Sequence, residues 1–341
     1  MKKLLIAMSG GVDSAVTAVL AMEQGYAVAG ATMRLHDGAG QEIADARASC
    51  EKLGIDFYEF DWRQRFWELV QQPFMDIYRA GRTPNPCVIC NKAVKFGLFL
   101  DEAERLGFDG IATGHYARIV QENGRTLVKT ALDASKDQTY MLWSVSQQQL
   151  SRVVLPMGGM TKDDARKKAE TLGLAVAHKH DSQDICFIPD GDYLAWLINH
   201  GLVPQGGRFI GPDGEDLGPH KGLEGYTVGQ RRGLDIAYGS RIYVTGKRGT
   251  DVLLGPNEAL FADRVLVSGV NFIPFDRLTA PIRAQAKLRY TPSVAACTVI
   301  PTESGAELVF DAPQRAVTPG QAAVFYDGET LLGGGIIEGA L

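Results

Sequence analysis

The sequence predicts an α/β protein: a doubly wound parallel sheet, then a small central domain, then a C-terminal antiparallel β-barrel. Three observations predict this. Strand and helix signals alternate through the first 200 or so of 341 residues, a pattern that builds parallel sheets with helices on both faces. The texture changes after Gly201, where Pro204–Pro219 is rich in turn residues. From Ala262 onward the chain reads as short alternating strands separated by turn signals. The domains expected are 1–203, 204–261 and 262–341.

The apolar run Lys3–Met8 reads as the first strand and Ala15–Gln24 as the first helix, closed by Gly25. Tyr26–Arg34 is a strand, Glu42–Leu53 a helix ending at Gly54, Ile55–Asp61 a strand and Gln64–Tyr78 a helix. Lys95–Leu106 is a helix ending at Gly107, and Phe108–Thr113 a strand. Thr161–Leu172 is a helix opened by a Thr cap, with Asp164 three residues on. Six barrel strands follow: RVLVSGV, IRAQAKLRY, AACTVIPT, AELVFD, AAVFYDG and LLGGGIIEG. Ligands of a parallel sheet bind at the carboxyl ends of its strands. SGGVDS, Met33 and Thr113-Gly114-His115 all fall there.

Composition narrows the function. A chain 45% hydrophobic and 22% charged is ordinary for a soluble globular protein. No apolar stretch approaches the roughly 18 residues of a membrane span, and no leader precedes Lys3, so a cytoplasmic protein is expected. The net charge of −5 argues against nucleic acid as a partner of the whole surface. Residues 205–250 nevertheless carry seven basic against five acidic residues, a local basic patch. Five cysteines (Cys50, Cys87, Cys90, Cys186, Cys297) are too few and odd in number for a disulfide scaffold. Cys50 in a helix and Cys297 in a strand read as small buried hydrophobes. The other three read as thiol chemistry or metal ligands.

Ser9-Gly10-Gly11-Val12-Asp13-Ser14 joins the first strand to the first helix. Two glycines bring backbone N–H groups close to an anion, and the helix N-terminus adds free donors and a positive dipole end. Asp13 makes sense if Mg²⁺ bridges it to phosphates. No lysine lies in the turn. That suits holding pyrophosphate during attack at the α-phosphate of ATP better than γ-phosphoryl transfer. The motif resembles the pyrophosphatase-loop ATP enzymes, which adenylate an oxygen and then displace AMP with a nucleophile.

Arg79–Phe96 contains Thr83-Pro84-Asn85-Pro86-Cys87-x-x-Cys90. The prolines predict a stiff, extended Thr83–Cys87. Asn85 and Asn91 offer base-edge hydrogen bonding. Arg79, Arg82, Lys92 and Lys95, with a helix starting near Ala93, predict a depressed thiol pKa at Cys90. Cys186, on the separate loop Asp181-SQDI-Cys186, supplies the second thiol that a sulfur relay needs. Two metal readings stand beside the relay. Cys87, Cys90 and Cys186 could ligate an iron–sulfur cluster, and His180 or His115 could complete a zinc site.

SGGVDS, GRTPNPCVICNKxxKF, ATGHYAR, ALDASKDQTYML, DSQDICFI, GYTVGQRRGL and the late LRY and PGQ segments, in this order, resemble the tRNA-specific 2-thiouridylases over essentially the whole chain. The resemblance implies an adenine nucleotide alpha hydrolase-like first domain. It implies ATP-dependent replacement of the 2-oxygen of a wobble uridine by sulfur. On it, Ala7, Met8, Ser9, Gly10, Gly11, Val12, Asp13, Ser14, Met33 and Gly114 would hold ATP with Mg²⁺. Cys90 would be the nucleophile and Cys186 the persulfide carrier, the pair ending as a disulfide. Asn85, Pro86 and Cys87 would meet the target base. His115, Lys136, Asp137, Gln138, Arg289, Tyr290 and Gln321 would meet tRNA. A persulfide-donating sulfur-carrier protein or cysteine desulfurase would reload Cys186. Many relatives carry Asp where this chain has Cys87, which leaves the role of that thiol open. Two other readings survive at this point. One is another ATP-adenylating synthetase, for which the thiols would be dispensable. The other is an RNA-binding protein that forms no AMP.

Overall fold

The computed structural model describes residues 1–179, 185–291 and 293–341. The first sheet contains β1 (Lys3–Ala7), β2 (Ala27–Arg34), β3 (Phe57–Asp61) and β4 (Gly110–Ala112). The hairpin β5 (Ala117–Glu122) and β6 (Arg125–Thr130) comes next in the chain, then β7 (Val153–Val154), the sheet's last strand. Its order is β3-β2-β1-β4-β7, all parallel. Successive side chains of a strand face opposite ways. Leu4 and Ile6 therefore join one buried layer, with α1 (Val12–Glu23) and α2 (Gly40–Leu53). Leu5 and Ala7 join the other, with Phe99, Ala103 and Ile111. The sheet is doubly wound as expected. Its order reverses between β1 and β4, so the crevice between their carboxyl ends is the switch point where ligands bind.

Cys50 is fully buried. A Cβ on Gly30 would overlap its Sγ, so α2 lies close on β2 there.

Two helical stretches differ from expectation. Residues 63–79 are helical throughout, with a π turn at Trp67–Gln71. The helix expected from Lys95 begins at Pro86 and runs to Arg105, wider in pitch over Asn91–Leu98. The cause is Asn85, whose side-chain oxygen accepts from the backbone N–H of Cys87 and Val88. Pro86, with no N–H to satisfy, suits the first helical position. Pro86 and Cys87 are therefore helical rather than extended.

The central segment forms a sheet of β8 (Gly207–Ile210), β9 (Asp216–His220), β10 (Tyr243–Arg248) and β11 (Asp251–Gly255) around Phe209, Tyr226, Val244 and Val252. Six strands then close a barrel: β12 (Phe261–Phe272), β13 (Ile282–Lys287), β14 (Ala295–Thr302), β15 (Gly305–Arg315), β16 (Ala322–Asp327) and β17 (Thr330–Ala340). Pairing runs β12-β15-β14-β13-β16-β17, and β17 returns to β12. Cys297 is buried inside the barrel with Val299, Leu308 and Phe325. The unexpected hairpin β5–β6 attaches to β17 through Lys129 and Thr330 and so joins the barrel to the first sheet's side of the molecule. No described helix is long and apolar enough to cross a membrane.

Candidate functional site

The turn Ser9–Ser14 lies at the carboxyl end of β1. Gly10 has φ +69°, and a Cβ there would overlap the carbonyl of Glu42 at the start of α2. Gly11 caps α1 without any side-chain acceptor, which leaves the first-turn N–H groups open to an anion. Ser14 Oγ accepts from Ser9 N at 3.1 Å and donates to the Gly11 carbonyl at 2.9 Å, bracing the loop. Gly114, after β4, backs onto Asp13 and Ser14: a Cβ there would sit 3.1 Å from that of Asp13. The two strand ends thus form one cradle.

The cradle contains lysines that local sequence reading missed. Lys162 Nζ lies 2.9 and 2.8 Å from the two carboxylate oxygens of Asp13, and Tyr116 donates its hydroxyl to Asp13 at 2.8 Å. Lys179 donates to the Gly10 carbonyl at 3.0 Å and to Asp45 at 2.6 Å. The Lys179 hydrogen bond holds the Asp45 carboxyl below the usual carboxylate range. Thr161 does cap its helix as expected, accepting from Asp164 N; the residue after that cap is Lys162.

Cys90 sits inside its helix, buried with Phe66, Val70, Phe74 and Val94. Phe187 and Ile188 enter the same cluster, with Ile185 and Met33 packed against it. Phe187 is wedged between Phe74 (5.5 Å) and Trp196 (5.0 Å), which anchors the loop carrying Cys186 beside Cys90. Residues 181–184 of that loop motif, and His180, lie outside the described residues. Cys87 and Cys186 are exposed, and all five cysteines are free.

The expected depression of the Cys90 pKa is overturned. Burial pushes its thiol up to about 12, against an opposing pull from Lys95. Although the Cys186 residue is exposed at the surface, loss of solvation around its thiol pushes it up to about 11, with Lys95 again opposing and Cys87 and Glu42 adding to the rise. Arg79 is paired with Asp76 and Arg82 with Glu338, and the helix start belongs to Cys87. Among the described residues, no three His, Cys, Asp or Glu side chains gather as a metal site. Among the described residues, neither Cys87, Cys90 and Cys186 nor His115 belongs to such a group, and His180 lies outside them.

Alkylation with iodoacetamide should therefore modify Cys87 and Cys186 well before Cys90. A thiol below its pKa gains about tenfold in thiolate per pH unit, so labelling of Cys186 should climb from pH 7 to 9. Peptide mapping that finds Cys90 labelled as fast as Cys87 would contradict this burial.

The other expected contacts are spread more widely. His115 is buried, its Nδ1 2.7 Å from Thr113 Oγ1, and burial with Lys95 nearby drives its pKa well below the histidine range. Asp137 is buried, accepting from Ala131 N and Thr139 Oγ1. Gln138 accepts from Tyr116 N at 2.9 Å. Lys136 is half-buried in the same turn. Arg289 and Tyr290 are exposed on the barrel; Tyr290 donates its hydroxyl to the Asp137 carbonyl at 3.1 Å. Gln321 donates to the carbonyls of Thr83 and Pro84, both at 3.1 Å. The Asn85 carboxamide is engaged by the cap and by Met141 Sδ. Asn91 donates to the Met141 carbonyl, while its own oxygen is buried with no partner among the described residues.

The sequence matches three family models: a tRNA methyl transferase HUP domain over residues 2–190, a tRNA methyl transferase PRC-barrel domain over 196–251, and an aminomethyltransferase beta-barrel domain over 262–337. It is 46% identical over 350 residues to the tRNA-specific 2-thiouridylase MnmA 1 of Clostridium tetani, covering 99% of this chain and 97% of that one. It is 46% identical over 347 residues to the tRNA-specific 2-thiouridylase MnmA of Syntrophotalea carbinolica, covering 98% of each. A solved 4-thiouridine synthetase–RNA complex with bound ATP matches at a TM-score of 0.36 and 17% identity, over 58% of this chain and 50% of that one. With identity at this level running the length of both chains, the protein belongs to the tRNA-specific 2-thiouridylase family.

Proposed function

We infer that this protein is an ATP-dependent tRNA uridine 2-sulfurtransferase, acting in the cytoplasm on the wobble uridine. The observation that carries the reading is the shared setting of the thiols and the phosphate cradle. Cys90 and the residues flanking Cys186 occupy one cluster, Lys95 acts on both thiols, and Glu42, whose carbonyl backs Gly10, also acts on Cys186.

The open N-terminus of α1 and the Gly10–Gly11 backbone would hold the ATP phosphates while the uridine 2-oxygen attacks the α-phosphate and pyrophosphate leaves. Mg²⁺, held by Asp13, would supply charge neutralisation of the phosphates. Asp13 fits as a carboxylate at the turn, although both its oxygens are now engaged by Lys162 and Tyr116. The Cys90 thiolate then attacks the inner sulfur of a persulfide on Cys186. A Cys90–Cys186 disulfide forms and hydrosulfide leaves, which adds at C2 and displaces AMP. A reductant restores the thiols. A donor with its own persulfide, a sulfur-carrier protein or cysteine desulfurase, reloads Cys186, consistent with its exposure. Cys90 has to lose its proton at the attack, and Lys95 is the charge placed to favour that.

We propose the division 1–203 catalytic, 204–261 central and 262–341 barrel; the parallel sheet, the central sheet and the six barrel strands support it, while the β5–β6 hairpin of the first part pairs onto β17. The last two would grip tRNA while the base is drawn out of its stack. Arg231 and Arg241 line an open depression of about 560 Å³ in the central segment, suited to backbone phosphates. The reading is tested by incubating the protein with ATP, a persulfide donor and unmodified tRNA, and looking for thiolated RNA on a mercury-retarding gel. A retarded band is expected. Its absence, with RNA bound and no AMP formed, favours the RNA-binding alternative.

A further inference from the structure

We propose that Lys162 is the phosphate-binding lysine of the Ser9–Ser14 turn, held on Asp13 until ATP arrives and then passed to the polyphosphate. The proposal rests on the function inferred above and assigns a further residue to its nucleotide site.

The turn has no cation in its own sequence, yet its one carboxylate is salt-bridged. The Lys162 side chain is 6% exposed and that of Asp13 30%. A buried ammonium is stable only with its charge matched, and Asp13 matches it at 2.8 and 2.9 Å. Two features aim the lysine. Lys162 is the first residue of the helix Lys162–Thr171, whose Ala165 and Ala169 pack in one cluster with Val12 and Ala15 of α1. Its backbone N–H donates to Asp133 at 3.1 Å. The ammonium is therefore held at the open N-terminus of α1, beside the N–H groups an anion would meet.

An ATP phosphate docking on those N–H groups brings negative charge next to the ammonium. Lys162 can turn from Asp13 to a phosphate oxygen while its stem stays packed. Asp13 keeps the Tyr116 hydroxyl at 2.8 Å, so its carboxylate stays satisfied as the ammonium leaves. The exchange has two consequences. Phosphate gains a charge-assisted donor, and a carboxylate becomes available to a divalent cation only once nucleotide is present. Lys179 has a different part: it ties the Gly10 carbonyl to Asp45 and so holds the backbone of the turn.

The test is calorimetric titration of the full chain with ATP and, separately, with adenosine, each with and without Mg²⁺. Lys162→Met should weaken ATP binding about 10- to 100-fold and leave adenosine binding unchanged. Lys162→Arg should restore part of the ATP affinity. Because Lys162→Met strands Asp13, the neutral pair Asp13→Asn/Lys162→Met is measured alongside to keep the fold. Equal ATP affinity in that folded double variant and in wild type would overturn the proposal, leaving Lys162 as a structural ion pair. Wild-type protein that fails to bind ATP would instead overturn the inferred function.

Discussion

Cys90→Ser and Cys186→Ser are each expected to reduce tRNA thiolation by about 10⁴-fold or more, the scale seen when a nucleophile is removed. The defect should differ in kind from a nucleotide-site defect. The phosphate cradle at the ends of β1 and β4 is intact in both variants, so ATP binding should persist. A serine hydroxyl at 90 is too weakly acidic to cleave a persulfide, and a serine at 186 cannot carry one. Free sulfide at high concentration should partly rescue both, since it reaches C2 without the relay. Cys87→Ser is the informative companion. Cys87 is exposed at the helix start, whereas Cys90 is buried against Val94 and Phe74. If Cys87 were the attacking thiol, Cys87→Ser would abolish the reaction and Cys90→Ser would not. A retarded tRNA band surviving Cys186→Ser with a persulfide donor would end the relay mechanism. Thermal melts accompany the series, because a hydroxyl at Cys90 enters an apolar cluster.

The sheet and the barrel were legible because their signals are local. The run Leu4–Met8 before a Gly-Gly turn, and six alternating segments after Ala262, each state their own structure. The hairpin at 117–130 has an equally local signal, Asn123-Gly124, both at positive φ, between two alternating runs. Asn85-Pro86 misled for a subtler reason. The same dipeptide spells an extended turn or a capped helix start, and only the hydrogen bonds to Cys87 and Val88 decide between them. Charge was the least legible property. Arg79, Arg82, Lys92 and Lys95 look alike in sequence, but Arg79 and Arg82 are spent in ion pairs and Lys95 is the one that acts on the thiols. Lys162 and Lys179 meet the phosphate turn from about 150 to 170 residues away, a placement that periodicity and spacing cannot express. Burial outweighing charge at Cys90 is likewise a tertiary fact, since Phe187 and Leu197 of its cluster come from a distant segment.

Gly320→Val is expected to lower thiolation about 100-fold while ATP binding stays at the wild-type level. The barrel turn Pro319-Gly320-Gln321 grips the strand of chain that leads into the thiol helix. Thr83 N donates to the Pro319 carbonyl at 2.9 Å, and Gln321 donates to the carbonyls of Thr83 and Pro84. Arg82 completes the grip, donating to the Ile337 carbonyl at 2.8 Å and pairing with Glu338 at 2.9 Å. Gly320 has φ +92°, and a Cβ there would lie 2.9 Å from both the N and the O of Thr83. Any side chain must therefore push the turn off Thr83, and a β-branched one adds strain at positive φ. Two residues on, Asn85 caps the helix that carries Cys87 and Cys90, so the push moves the thiols against the adenylated base. Displacements of about 1 Å cost on the order of 100-fold in rate. Gln321→Ala removes only the two hydrogen bonds and should cost about tenfold, with tRNA affinity unchanged. The opposite pattern, weakened tRNA binding in Gln321→Ala and near-normal thiolation in Gly320→Val, would make Gln321 a direct RNA contact and the turn a bystander to the thiol loop.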